Sequence, residues 1–333
     1  AYTDYKSTVF SITILKEEIE KAVELLGDIL RESQFEKNEI KREKGVVLSE
    51  IRSSKDDLED LSFNMVNSIA FNKSGLKHDT LGTEECIEKL NSDVLLDFYK
   101  KYYVPNNTII SIVSCYEHEK VVEIIKKYFN NWKVGNNIES KFINEDNKNI
   151  EKIMKKNDIL DSSLIYLYTF YNLSKEEELA LKILNHKLGD SSNSILFRRL
   201  REEKGLAYDV STHMDSTSDI KTIYIYTAVH KDDVEQARNI IENSIFEIKN
   251  KEIAFKDENI ELMKKVLKTA ITLTIEDTVE LSNYILEQRI EGESITGFVE
   301  DLKSLSTIDK ESIYKVANKV LNNPSVHIII PRD

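Results

Sequence analysis

Residues 16–22 read KEEIEKA, and residues 231–237 read KDDVEQA. Each follows an alternating run of strand character, STVFSITIL at 7–15 in the first case and TIYIYTAVH at 222–230 in the second. Each continues as an amphipathic helix, the first carrying Ile19, Ala22, Val23, Leu26 and Leu30 on one stripe. A strand running into a helix twice, with one charge pattern at the junction, marks an internal repeat.

Working outward, the match resumes at an offset of 220. Phe35 pairs with Phe255, Ile40 with Ile260, Val46 with Val266, Asp57 with Asp277, Leu61 with Leu281 and Ser62 with Ser282. Then LNSDVLLDFYKKYY before the apolar run TIISIV (108–113) is echoed by LSTIDKESIYKVANKVL before SVHIII (325–330). Each copy reads strand, helix, long helical pair, helix, strand. The expected fold class is α+β, with two homologous domains, each an antiparallel-rich sheet packed against a layer of helices. The Asn-rich stretch 134–149 is the expected linker, leaving domains at 1–133 and 150–333. The copies differ at the front. Residues 161–215 supply the second with a strand, SSLIYLYTF, a helix from about 174, the turn GDSSNS and another helix. The first copy has no counterpart, so its domain is read as incomplete. Because position 1 is Ala rather than Met, further residues are expected to precede it.

The 333 residues suit two domains of a globular protein. Acidic residues outnumber basic ones by 59 to 46, a net charge of −13, and no basic cluster stands clear of neighbouring acids. A nucleic-acid partner is therefore not expected, whereas a positively charged peptide would be steered inward. Cys86 and Cys115 are the only cysteines, which excludes a disulfide scaffold and fits a reducing, cytoplasmic setting. No apolar run approaches membrane-span length, so no membrane partner is expected.

Two stretches carry candidate chemistry. FEKNEIKREKGVVLSEIRSS (35–54) is expected to be helical, with Ile40, Val47 and Ile51 at core spacing. Glu43 and Glu50 lie seven residues apart on nearly one face, roughly 10 Å along the axis. The duplicate replaces both with Met263 and Ala270, so the scaffold does not itself require carboxylates there. The pair reads either as a solvated acidic stripe or as a retained site. In GDSSNSILFRRLREEKGLAY (189–208), Arg201 and Tyr208 can both donate to a peptide carbonyl. The competing reading is an exposed Arg and a half-buried Tyr.

These two stretches, with AYTDYKSTVFSITILKEEIEKAVELLGDIL (1–30) and LKHDTLGTEECIEKLNSDVLLDFYKKYYVPNN (76–107), resemble the pitrilysin/insulinase/mitochondrial-processing-peptidase family. Members of this family are zinc metallopeptidases with an inverted H-x-x-E-H motif. The resemblance implies a Zn2+ cofactor held by that motif and a distal Glu. Glu50 aligns with the distal ligand, and Glu43 with the accompanying outer carboxylate. The six histidines are His78, His118, His186, His213, His230 and His327, and none forms the motif. The histidine ligands are accordingly expected upstream of Ala1, and the chain as given is expected to bind no zinc and be inactive. His118 is read as a helix-start feature and His186 as structural.

The resemblance further implies that Arg201 and Tyr208 bind the substrate backbone, and that Ala1 and Tyr2, with Thr3, lie on an edge strand beside which substrate adds. A frayed terminus is the other reading of those residues. Ile195, where the family commonly has Arg, and a turn keeping only Gly189 are departures that bear on substrate preference. The implied function is a zinc endopeptidase subunit cutting peptides or unfolded segments inside a dimeric chamber, as a homodimer or with a related subunit. The alternative is a non-catalytic partner or assembly subunit of the same family.

Overall fold

The computed structural model describes residues 1–138, 142–217 and 219–332. In chain order the regular elements begin with β1 (Tyr2–Thr3), β2 (Thr8–Val9), α1 (Ile19–Arg31), α2 (Lys37–Asp56) and α3 (Leu58–Ala70). They continue with α4 (Glu84–Lys89), α5 (Ser92–Tyr102), α6 (His118–Phe129), β3 (Glu151–Lys156), β4 (Ser162–Thr169) and α7 (Lys175–Leu188). Next come α8 (Ile195–Phe197), which runs into a π-helical stretch Arg198–Glu203, then β5 (Ala207–Thr217) and β6 (Ile220–Val229). The chain closes with α9 (Val234–Lys249), α10 (Asp257–Glu276), α11 (Thr278–Ile290), α12 (Gly297–Leu305), α13 (Lys310–Val320) and β7 (Ser325–Pro331). This is a mixed α+β architecture.

Two compact units form. One comprises residues 1–53, 79–141 and 272–295; the other comprises 54–78, 142–271 and 296–333. The division falls inside α2 and inside α10, so α3 belongs to the second unit and α11 to the first. Residues 134–149 carry no helix or strand where described, and 139–141 lie outside the described residues.

In the second unit, five strands pair in the order β3-β7-β4-β6-β5, antiparallel except for the parallel pair β3 and β7. Pairing across β4 and β6 sorts the side chains by face. Ser163, Ile165 and Leu167 oppose Ala228, Tyr226 and Tyr224, while Leu164, Tyr166 and Tyr168 oppose Thr227, Ile225 and Ile223. The second set joins α7, α9 and α13 in one apolar core. The first set meets α3: the Ser62 and Ser163 hydroxyls are 2.6 Å apart, and Tyr224 donates to Asn67 Oδ1 at 2.8 Å. The Phe63 ring packs against those of Tyr224 and Tyr226. Strand β4 is buried along nearly its whole length because it is covered on both faces and paired on both edges.

In the first unit, β1 and β2 form a two-stranded antiparallel ladder, Tyr2 opposite Val9 and Thr3 opposite Thr8. Helix α1 turns Ile19 and Val23 inward against Ile124 of α6. The strands expected over 7–15 and 108–113 shrink to Thr8–Val9 in the first case and are absent in the second. In the second unit β4 lies between β6 and β7 and pairs with both. Among the described residues no such strand joins the runs at 7–15 and 108–113, and Ile12, Ile14, Leu15, Ile109 and Ile110 are exposed. Helix α11 is also anchored within this unit, where Ser282 Oγ lies 3.0 Å from Ser111 Oγ.

Strand β3 was not expected from the sequence. Its run EKIMKK shows no clean alternation, and its assignment comes from parallel pairing with β7 at an edge.

Candidate functional site

In the second unit the site is built on a change of helical pitch. Ser194 caps α8 through the Phe197 N–H, and after one turn the chain widens into the π-helical stretch Arg198–Glu203. Arg199 ties this stretch to α9, donating to Ser244 Oγ at 3.0 Å and to Glu247 at 2.6 Å. Gly205 then takes φ +63°, a left-handed conformation suited to glycine. Its N–H reaches the Arg201 carbonyl, and the Leu206 N–H reaches back to Leu200, closing the helix end as β5 begins.

This turn brings Arg201 and Tyr208 together. The guanidinium carbon stands 4.5 Å from the Tyr208 ring centroid and 4.9 Å from that of Phe197. An Arg201 N–H donates to the Tyr208 carbonyl at 3.1 Å. Tyr208 is 83% exposed, so the half-buried alternative is wrong: β5 starts at the sheet edge and nothing among the described residues covers the ring. The result is a half-buried cation over two aromatic rings, with further guanidinium donors beside an exposed phenol. Ile195 is buried in the core and faces no solvent. A Cβ on Gly189 would meet Thr212 Cγ2 at 2.4 Å, so the single glycine kept in that turn lets the end of α7 approach β5.

Phe197 and Gly205 were not singled out from the sequence. Phe197 was legible as an aromatic residue four places before Arg201, one helical turn away. Also missed is Glu59 at the start of α3. Burial first, then the charges of Asp209, Asp57 and Asp60, raise its pKa.

In the first unit, Glu43 and Glu50 both lie on α2 and are exposed, while Ile51 beside them is buried. Tyr2 lies on β1, which pairs only with β2 among the described residues, and Ala1 precedes the strand. Burial and the nearby Glu287, Asp4 and Glu280 raise the Tyr2 phenol. The donor set does not fit a zinc ion. Among the described residues no three His, Cys, Asp or Glu side chains converge as a metal would require. His118 opens α6, and His186 lies within α7.

Comparison with known proteins accords with this arrangement. A model described as "Peptidase M16 inactive domain" matches residues 89–267, and one described as "Insulinase (Peptidase family M16)" matches residues 1–84. The chain belongs to peptidase family M16. It is 27% identical over 278 residues to an uncharacterized zinc protease of Bacillus subtilis, covering 84% of this chain and 67% of that protein. It is 19% identical over 340 residues to a probable mitochondrial-processing peptidase subunit beta of Arabidopsis thaliana, covering 98% of this chain and 63% of that one. A crystal structure of a protease from Helicobacter pylori superposes with a TM-score of 0.86 at 16% identity, over 95% of this chain and 77% of that chain.

Proposed function

We propose that this chain is the peptide-holding part of an M16 endopeptidase subunit, built by duplication of one domain and acting as a dimer in the cytoplasm. The observation that supports the reading is the Arg201–Tyr208 pair, a half-buried guanidinium 4.5 Å from the ring of an exposed Tyr208. An extended or unfolded peptide offers carbonyl oxygens, and the guanidinium and phenol donate to two of them. The same donors serve an oxyanion if one develops at the scissile carbonyl. Ala1 and Tyr2 offer a second anchor through the free edge of β1. Glu50, with Glu43 beside it, is the carboxylate this chain contributes towards a metal whose imidazole ligands it does not contain.

The match to a domain described as inactive supports a second reading: a non-catalytic partner subunit. Subunit mixing separates the two. In the natural polypeptide, the Glu50→Gln and Tyr208→Phe forms are each expected to be impaired, and mixing them is expected to restore chelator-sensitive hydrolysis of an unfolded basic peptide. No recovery despite proven subunit exchange defeats the shared site. Absence of hydrolysis by the unmodified polypeptide establishes the partner reading instead.

A further inference from the structure

The second unit holds a cavity of about 600 Å³ that the peptide-holding pair does not use. It opens between the C-terminal half of α9, the end of α13 and the face of the sheet where β4, β7 and β3 run side by side. Tyr166 and Tyr168 line it from β4, with Ile245, Phe246, Leu321 and Val326 as apolar walls.

Its charges are already matched. Arg238 donates to both Glu151 oxygens at 2.8 Å and to Glu242 at 2.9 Å, and the Tyr166 hydroxyl also donates to Glu242. Lys249 is engaged by the Leu321 carbonyl and Asn322 Oδ1. Two cations and two carboxylates leave the rim without net charge. Tyr168 is the exception to this satisfaction. Its side chain is only 2% exposed, yet its hydroxyl has no hydrogen-bond partner among the described residues. The hydroxyl keeps contact with the cavity space, so it can donate to a ligand oxygen. Burial keeps this phenol protonated, so it donates.

We propose that this cavity binds an uncharged, largely apolar small molecule bearing a carbonyl oxygen. The oxygen accepts from the Tyr168 hydroxyl, and the apolar body lies against Phe246, Ile245, Leu321 and Val326. The matched rim offers no free charge to a charged ligand, and the volume exceeds that of a single side chain and falls in the range of drug-sized ligands.

The probe is Nile red, a neutral carbonyl-bearing amphiphile, titrated by fluorescence against the 333-residue chain. One saturable site is expected. Tyr168→Phe keeps the ring and removes the donor, and is expected to weaken binding roughly two- to tenfold, the worth of one hydrogen bond. Phe246→Glu places a charge at the mouth on an exposed residue and is expected to lose the site. Leu15→Glu, on the exposed apolar surface of the first unit, is expected to leave the affinity unchanged. Unaltered affinity in Phe246→Glu overturns the proposal, as does loss of binding in Leu15→Glu or unaltered affinity in a Tyr168→Phe protein that melts cooperatively. If Tyr168→Phe does not fold, the other two variants decide.

Discussion

In the proposed peptide-holding role, the shape of Arg201 counts as much as its charge. Its planar guanidinium lies over the Phe197 and Tyr208 rings while one N–H holds the Tyr208 carbonyl, and a lysine offers neither the plane nor the fork. Arg201→Lys is therefore expected to impair peptide binding nearly as much as Arg201→Ala, each by about tenfold or more. Tyr208→Phe, which keeps the ring in the stack, is expected to cost only two- to tenfold. Fluorescence anisotropy with a labelled, unfolded basic peptide reads all three. Retention of full affinity in Arg201→Lys would show that the site uses a point charge and that the stack is incidental.

Among the elements, glycine positions separate the roles of turn, packing and helix. Gly205→Ala forces a β-carbon into φ +63° and is expected to cost about 1 kcal/mol. Gly189→Ala drives a Cβ against the Thr212 side chain and is expected to cost about 1–3 kcal/mol, since β5 and α7 must part to admit it. Gly45 has the opposite sign. It lies inside α2 and its added Cβ meets nothing within 4 Å, so Gly45→Ala is expected to gain about 0.5–1 kcal/mol. Urea midpoints of the three variants test the set, and a stabilised Gly189→Ala protein would contradict the packing account. The helix starts repeat as the sequence does: Asp57 accepts from the Glu59 and Asp60 N–H groups, and Asp277 accepts from those of Val279 and Glu280.

At the scale of the whole molecule, no helix among the described residues is long and apolar enough to cross a membrane, and His327 is one buried group that makes the fold sensitive to acid. Burial first, and the Lys152 charge second, push its pKa from 6.5 down to about 4, and its Nδ1 is buried without a partner among the described residues. Between those pH values the unfolded chain takes up a proton that the folded one refuses, so stability falls as pH drops through that window. Glu177, held down to about 2 chiefly by Lys319 and the Ser174 N–H, loses its contribution only at lower pH, from the usual carboxylate range downward. Glu59, with its raised pKa, acts in the opposite sense. The comparison that isolates His327 is thus wild type against His327→Leu, whose urea midpoint is expected to fall less between pH 6.5 and pH 4. Equal slopes would rule His327 out as the source.

Much of this architecture was legible because its signals are local. The stripe of Ile19 and Val23, the repeat that pairs Asp57 with Asp277, and the motif holding Arg201 and Tyr208 each show in short runs of the sequence. The family resemblance rested on the same short-range patterns. What tertiary structure alone decided depends on partners distant in sequence. The runs at 7–15 and 108–113 have strand composition, but a ladder needs a neighbour, and among the described residues most of their length has none. Strand β3 exists because β7 pairs with it, not because EKIMKK alternates. Likewise, no periodicity in the sequence could show that Tyr168 lines a cavity with its hydroxyl facing it. That depends on where α9 and α13 stop covering the sheet.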